Sequence, residues 1–259
     1  MTKPAFAALL CIGLSAAAAP ALAQEQAAPA QEPAASTAAP APTPAQPSTE
    51  APAGKMTQEQ IAAFNQAVAD FTAGQQLQQA ANNAGAIAKY EGALPAIRTA
   101  VKVQPNNMDY VSFLANTLYA DAAAQAAVQN FDAVISLYQE ALPQWRKIVA
   151  AKPADANSRN ILAGMLVQLG NKSLSGQDKA TANGYYKEAT ELARKSATAA
   201  PTDAVSKNLL LSALIGLSQT SEDKAVRDEA VAMGKTMMAD GTIDAVNKPS
   251  IEIMTGTAS

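Results

Sequence analysis

Apolar side chains recur three and four residues apart along most of the chain beyond residue 56, which is the spacing of one face of an α-helix. One stripe follows a proline and consists of Ile161, Leu162, Met165, Leu166 and Leu169. Another precedes a proline and consists of Tyr138, Ala141, Leu142, Trp145, Ile148 and Val149. Asn106 and Asn107 in one unit, and Asp155 and Asn157 in the next, stand where N-caps are expected. The pattern predicts an all-α chain built from pairs of helices.

The pattern repeats every 48 residues. Six columns share this spacing: Pro105, Pro153 and Pro201; Tyr90, Tyr138 and Tyr186; Ala93, Ala141 and Ala189; Arg98, Arg146 and Arg194; Leu114, Leu162 and Leu210; Ser112, Asn160 and Asn208. The frame divides Thr57 to Lys248 into four units. An internal repeat of this length is typical of a solenoid, in which each unit buries its apolar face against its neighbours.

The outer units are less regular, as the ends of a solenoid tend to be. An opening helix is predicted from Ile61, Phe64, Val68 and Phe71. In the last unit Glu229 matches Glu188 but follows it by 41 residues instead of 48. The segment that connects the paired helices is therefore about seven residues shorter in this unit. Gly241 is expected to end the final helix, and the residues after Lys248 are expected to form a flexible tail.

The two central units resemble the tetratricopeptide repeat. Leu114-Ala115 and Tyr119 match the first helix of that motif, while Tyr138-Gln139-Glu140-Ala141, Trp145 and Pro153 match its second helix and closing proline. The resemblance implies a stack of antiparallel helix pairs. The units are longer than the family's 34 residues, with extra residues around 121–130 and 171–183 that either extend the helices or form a loop. Gly170 is expected to end or bend its helix.

The resemblance also implies a binding surface, because family members hold peptides in a groove lined by the first helices. The matching polar positions are Asp109, Ser112, Asn116, Tyr119, Asn157, Asn160, Gln168, Asn208 and Ser212. Their amides and hydroxyls can bond the backbone of an extended peptide. The alternative is that these side chains simply face water.

The first 23 residues have the pattern of a cleaved secretory signal peptide. Met1 to Lys3 give a positive start, Phe6 to Ala19 form an apolar run, and Ala21-Leu22-Ala23 gives the small residues of a cleavage site. A run of 14 residues is shorter than the roughly 20 that span a bilayer, which argues against a membrane anchor. We therefore expect export to the periplasm, with secretion as the other possibility.

Residues 24–55 differ in composition from everything that follows. The segment is rich in Ala and Pro and contains no Val, Ile, Leu, Met or aromatic residue. Such a chain cannot bury enough apolar surface to offset its ordering entropy, so a disordered linker is predicted. The expected boundaries are a signal peptide at 1–23, this linker at 24–55, a helical repeat domain at 56–248 and the tail at 249–259.

Charge and composition limit the kinds of functional site that the chain can form. The net charge is −3 with a pI near 5.1, which does not favour nucleic-acid binding. The chain has no His, and its single Cys, Cys11, lies in the predicted signal peptide. Triads based on His and most zinc sites are therefore excluded. No catalytic residues, cofactor or metal site are predicted, and Trp145 and the Met residues of the last unit are interpreted as core.

The arginine column has two interpretations. A row of guanidinium groups at Arg98, Arg146 and Arg194 can bind carboxylates or phosphates, but acids nearby in sequence favour local ion pairs on a solvated face. Together these observations predict a non-enzymatic helical-repeat protein that mediates protein–protein or peptide binding in the cell envelope. The alternative is a carrier that encloses an apolar small molecule or lipid among the helices.

Overall fold

The computed structural model describes residues 54–257. The predicted signal peptide and all but the last two residues of the predicted linker lie outside this range. The described part contains helices and no strand. Its nine helices are α1 Gln58–Gln79, α2 Asn83–Val103, α3 Met108–Ala127, α4 Phe131–Ala151, α5 Ala156–Ser175, α6 Lys179–Ala199, α7 Ala204–Thr220, α8 Lys224–Ala239 and α9 Asn247–Thr255.

Consecutive helices pack on one another from α1 to α9. Turns this short join antiparallel neighbours, so α1 to α8 form four helix pairs and α9 follows them. The second helices α2, α4 and α6 begin at residues 83, 131 and 179, and the first helices α3, α5 and α7 begin at 108, 156 and 204. Both series keep the 48-residue period, so the predicted all-α solenoid of helix pairs is confirmed.

The turns inside the pairs show whether the extra residues of each repeat extend the helices or form a loop. Each turn takes three residues, and Ala81, Gln129 and Gln177 adopt the left-handed conformation at successive 48-residue positions. The following amide reaches back to the helix in each case, as when Asn130 N–H donates to the Gln125 carbonyl at 2.9 Å. This is the Schellman arrangement that closes a helix. The extra residues therefore extend the helices and form no loop.

The turns between pairs follow the prolines. Asn107, Asp155 and Asp203 are the N-caps of α3, α5 and α7, and each side chain accepts a hydrogen bond from a backbone amide in the first helical turn. This satisfies amide groups that have no partner within the helix. Pro95 and Pro143 lie inside α2 and α4, which continue through them.

The expected helix end at Gly170 is wrong. Gly170 is buried within α5, and the helix continues to Ser175. Its role is close packing, because a Cβ added here would come within 2.7 Å of the Tyr186 ring of α6. Gly216 of α7 faces the same ring, so Tyr186 is held between two glycines of successive first helices. Small residues beneath an aromatic ring allow the helices to interlock.

The expected flexible tail after residue 248 is also wrong. Helix α9 runs to Thr255, and Ile251 is fully buried, with its side chain at the position where a Cβ of Gly234 in α8 would lie. Asn247 at the start of α9 donates from Nδ2 to the Asn208 carbonyl of α7 at 3.0 Å. The alternation of Ile251 with polar neighbours was too short a signal to predict a helix. The folded region therefore extends past residue 248.

The first pair carries polar residues where later pairs carry apolar ones. Gln66 and Asp70 of α1 occupy the columns of Leu114 and Leu118 in α3, which are buried beneath the preceding pair. Asp70 also accepts from Lys89 of α2 at 2.7 Å. A polar outer face of this kind is typical of the capping unit of a solenoid.

The ring of Tyr186 gives a direct test of this packing. We expect Gly216→Ala to lower the free energy of unfolding by about 1–3 kcal/mol, because the new methyl group overlaps a ring that has no room to move. Gly92→Ala in α2 is the matched control, because open space surrounds that position. It should raise the free energy of unfolding by about 0.5–1 kcal/mol through helix propensity. Urea unfolding followed by circular dichroism measures both, and equal effects at the two positions would contradict the packing.

Candidate functional site

The nine predicted groove residues all lie on first helices. Four are in α3, three in α5 and two in α7, namely Asp109, Ser112, Asn116 and Tyr119; Asn157, Asn160 and Gln168; and Asn208 and Ser212. Because the three helices share one repeat phase, these positions fall on corresponding faces. The structure does not leave all of them available to a ligand.

Asn208 and Ser212 hold the C-terminal end of the solenoid. Asn208 Nδ2 donates to the Thr242 carbonyl at 2.8 Å, and its Oδ1 accepts from the Asp244 amide at 2.9 Å. Ser212 Oγ donates to Asn247 Oδ1 at 2.8 Å. Their hydrogen-bonding groups are engaged by α9 and the segment before it, so these two residues belong to the closing contact of the fold.

The junction between α5 and α7 is closed in a similar way. Asn160 Nδ2 donates to Ser206 Oγ at 3.0 Å, and the two helices pack directly on each other. Asn160 Oδ1 is buried and accepts no hydrogen bond from any described residue. The amide nitrogen of Asn160 therefore joins α5 to α7, and its amide oxygen has no partner among the described residues.

The corresponding helices α3 and α5 are more widely spaced. No Cα of α3 lies within 8 Å of a Cα of α5. Ser112 stands in the column of Asn160 but is shorter and makes no comparable bond to α5. We call this wider spacing between the two first helices the α3–α5 gap.

One core position differs in size between the units. Ile97, Trp145 and Ala193 occupy equivalent positions on α2, α4 and α6, and all three are buried. The indole edge contacts Tyr119 of α3, with ring centroids 6.1 Å apart. Trp145 is core, as predicted, and the unit with the largest side chain at this position is the one in which α3 and α5 are most widely spaced.

Exposed polar side chains flank the α3–α5 gap. Asp109 and Asn116 lie on α3 and Asn157 lies on α5, and all three are exposed. Asn160 Oδ1, a buried acceptor without a donor among the described residues, belongs to the α5–α7 junction. The α3–α5 gap, with its exposed amides, is the candidate site for a ligand.

The arginine column is occupied by ion pairs between units. Arg98 pairs with Glu140, Arg146 with Glu188 and Arg194 with Glu229, each through two guanidinium nitrogens. The predicted local ion pairs are therefore wrong, since each acid comes from the next second helix. These forks tie α2, α4, α6 and α8 in sequence and are not available to carboxylates or phosphates of a ligand.

A second unusual feature lies at the junction of α2 and α3. Asp121 of α3 is fully buried, and neither carboxylate oxygen accepts a hydrogen bond from a described residue. The adjacent Gln125 donates to Glu91 of α2 at 3.2 Å and accepts from Asn130 at 2.8 Å. The nearby cation, Arg98, is engaged by Glu140. Sequence reasoning missed this group because its burial depends on the α2–α3 packing.

Burial raises the pKa of Asp121 to about 6, and the negative charge of Glu91 adds to the increase. Gln125 and the more distant charge of Arg98 offset part of it. Burial also raises the pKa of Tyr90 to about 12, with a contribution from Asp121. The phenol is therefore protonated at neutral pH, while Asp121 changes charge in a range where few groups do.

Other kinds of site find no support among residues 54–257. No group of three or more acidic residues there could hold a metal ion. The two best-formed clefts are open ones that line α1 and α2. None of the described helices is long and apolar enough to cross a lipid bilayer.

Comparison with known proteins gives no relative. No family model matches the chain, and no curated protein is significantly similar to it. Function therefore has to be argued from the geometry of the chain itself.

Asp121 predicts an unusual pH dependence of stability. The pKa of Asp121 is about 6 in the folded chain and roughly 3.9 for an aspartate in an unfolded chain. At pH values between these two, the folded chain therefore binds more protons than the unfolded chain. The free energy of unfolding should therefore rise by about 1.4 kcal/mol as the pH falls from about 7.5 to about 5. The chain has no His to titrate in this range.

The test is chemical unfolding at both pH values for the native chain and for Asp121→Asn. The variant should lose most of the pH dependence, because its amide does not ionise. Asp109→Asn is the control, since Asp109 is an exposed acid on the same helix, and it should keep the pH dependence. A rise of equal size in Asp121→Asn would assign the effect to other groups.

Proposed function

We propose that this protein is a non-enzymatic helical-repeat scaffold that binds an extended peptide segment of a partner protein at the α3–α5 gap. The observation that carries the proposal is the separation of α3 from α5, the one pair of successive first helices from α1 to α7 with no Cα atoms within 8 Å of each other, together with the exposed amides on both helices. The resemblance of the repeats to the tetratricopeptide motif supports a peptide as the ligand.

The chemistry of the α3–α5 gap suits a peptide backbone. An extended segment presents alternating N–H and C=O groups, and the gap offers amide side chains at Asn116 and Asn157 that can donate and accept. Tyr119, which is partly exposed on α3, provides an aromatic surface for a side chain of the segment.

The N-terminal sequence supports action outside the cytoplasm. A cleaved signal peptide would direct the chain to the periplasm, and the Ala/Pro-rich segment would give the repeat domain reach toward a partner. The alternative of an apolar carrier has no comparable feature among the described helices, because their best-formed clefts are open to solvent. The scaffold is therefore the better supported of the two.

Site-specific photocrosslinking in cells tests the proposal. Crosslinkers at Asn116 and Asn157, which flank the α3–α5 gap, should capture the same protein. A crosslinker at Gln139, an exposed residue of the second helix α4, should not capture it. Equal capture from all three positions would reject the gap as the binding surface.

A binding measurement with the captured segment follows as a second prediction. A synthetic peptide of that segment should bind Asn116→Arg at least about tenfold more weakly than the native chain, because the long cationic side chain fills the α3–α5 gap. Gln139→Arg adds the same side chain to an exposed position of α4 and should bind normally. Isothermal titration calorimetry measures both, and unchanged affinity of Asn116→Arg would contradict the proposal.

A further inference from the structure

The buried acid at the α2–α3 junction is not demanded by the fold. The positions equivalent to Asp121 in the other units are Ala73, Leu169 and Leu217. Leu169 is buried in the same helical context. An apolar side chain therefore satisfies the packing, and Asp121 introduces a charge where the repeat pattern has none. A residue that departs from the repeat pattern in this way is expected at a functional position.

The local charges do not balance. Glu91 of α2 and Asp121 of α3 are both acids, and Arg98 of α2 is the cation whose field reaches Asp121. Glu140 of α4 holds the Arg98 guanidinium at 2.7 and 2.8 Å, so that charge is already neutralised. Tyr90, the other titratable group that senses Asp121, is uncharged at neutral pH. Buried charges in proteins are normally paired, and this cluster is short of one cation.

The entrance to the buried carboxylate is polar. Gln125 lies one helical turn after Asp121 and is 5% exposed, whereas Glu91 is exposed. The 3.2 Å bond from Gln125 Nε2 to Glu91 Oε1 joins the two helices beside Asp121. One weak hydrogen bond between side chains therefore separates the buried carboxylate from the exposed Glu91, and breaking it leaves two carboxylates at the same junction.

We propose that the α2–α3 junction is a binding site for a primary ammonium group, with Asp121 as the buried ligand and Glu91 at the entrance. An ammonium group has three N–H donors, which match the two unpaired oxygens of Asp121 and one oxygen of Glu91. A slender alkyl chain enters between two helices with less displacement than a planar guanidinium. The site is separate from the α3–α5 gap and does not depend on the function proposed for it.

The experiment uses n-butylammonium as a probe of the lysine side chain. Thermal unfolding of the exported chain is followed at about pH 7.5 and about pH 5, with NaCl added to keep the ionic strength constant. At ten times its dissociation constant, the probe should raise the unfolding midpoint by about 3–5 °C at the higher pH. The increase should be at least about threefold smaller at the lower pH, because protonated Asp121 has no charge to pair.

Two variants and one further probe separate a specific site from general effects. Asp121→Leu carries the residue found at positions 169 and 217, and Glu91→Gln carries the residue found at 139. Both should lose the pH-dependent increase. Tetramethylammonium has the same charge and no N–H donor, so it should give no increase. An equal response of either variant, of tetramethylammonium, or at both pH values would overturn the proposal.

The source of the ammonium group is settled by a tripeptide. Gly-Lys-Gly with an acetylated N-terminus and an amidated C-terminus, whose one ammonium group is on the lysine side chain, should stabilise the native chain as n-butylammonium does if a lysine of a partner reaches the site. A response to n-butylammonium without one to this blocked tripeptide assigns the site to a free small amine. No response to either probe would overturn the proposal.

Discussion

The spacing of the helix pairs depends on how much side-chain volume each second helix inserts between the two first helices that it contacts. The Tyr186 ring fits because Gly170 and Gly216 leave room on both sides. In the next column, Ala193 lets α5 and α7 pack directly, whereas Trp145 coincides with the separation of α3 from α5. Because interiors are close-packed, a difference of one indole cannot be absorbed locally and changes the distance between helices.

Ion pairs and polar caps fix the position of neighbouring helix pairs relative to one another, which apolar packing alone does not fix. Ridges of small and apolar side chains permit neighbouring pairs to slide, but each Arg–Glu fork on the second helices has one geometry that satisfies both nitrogens. Gln66 and Asp70 give the first pair a polar outer face, and α9 covers the last pair through Ile251. The described helices thus form a stack with defined ends, held without disulfide bonds.

The pair formed by α3 and α4 departs most from the repeat pattern. It contains Trp145, the largest side chain of its column, and Asp121, which places an unpaired charge in the interior. The buried charge costs stability relative to the Ala or Leu found at the same position in other units. Both sites that we propose therefore involve helix α3.

The sequence by itself determined the helix pairs and their 48-residue period, because capping residues, prolines and three-to-four spacing act over a few neighbouring positions. Asn107 and Asp155, which cap α3 and α5, are among the capping residues predicted from the sequence. Only the tertiary structure decided which acid each arginine of the column meets, because the acid lies about 40 residues away. It also decided that α9 packs against α7 and α8, that Asn208 bonds the segment before α9, and that Asp121 is buried. These outcomes follow from contacts between units, whose geometry depends on side-chain volumes summed across several helices.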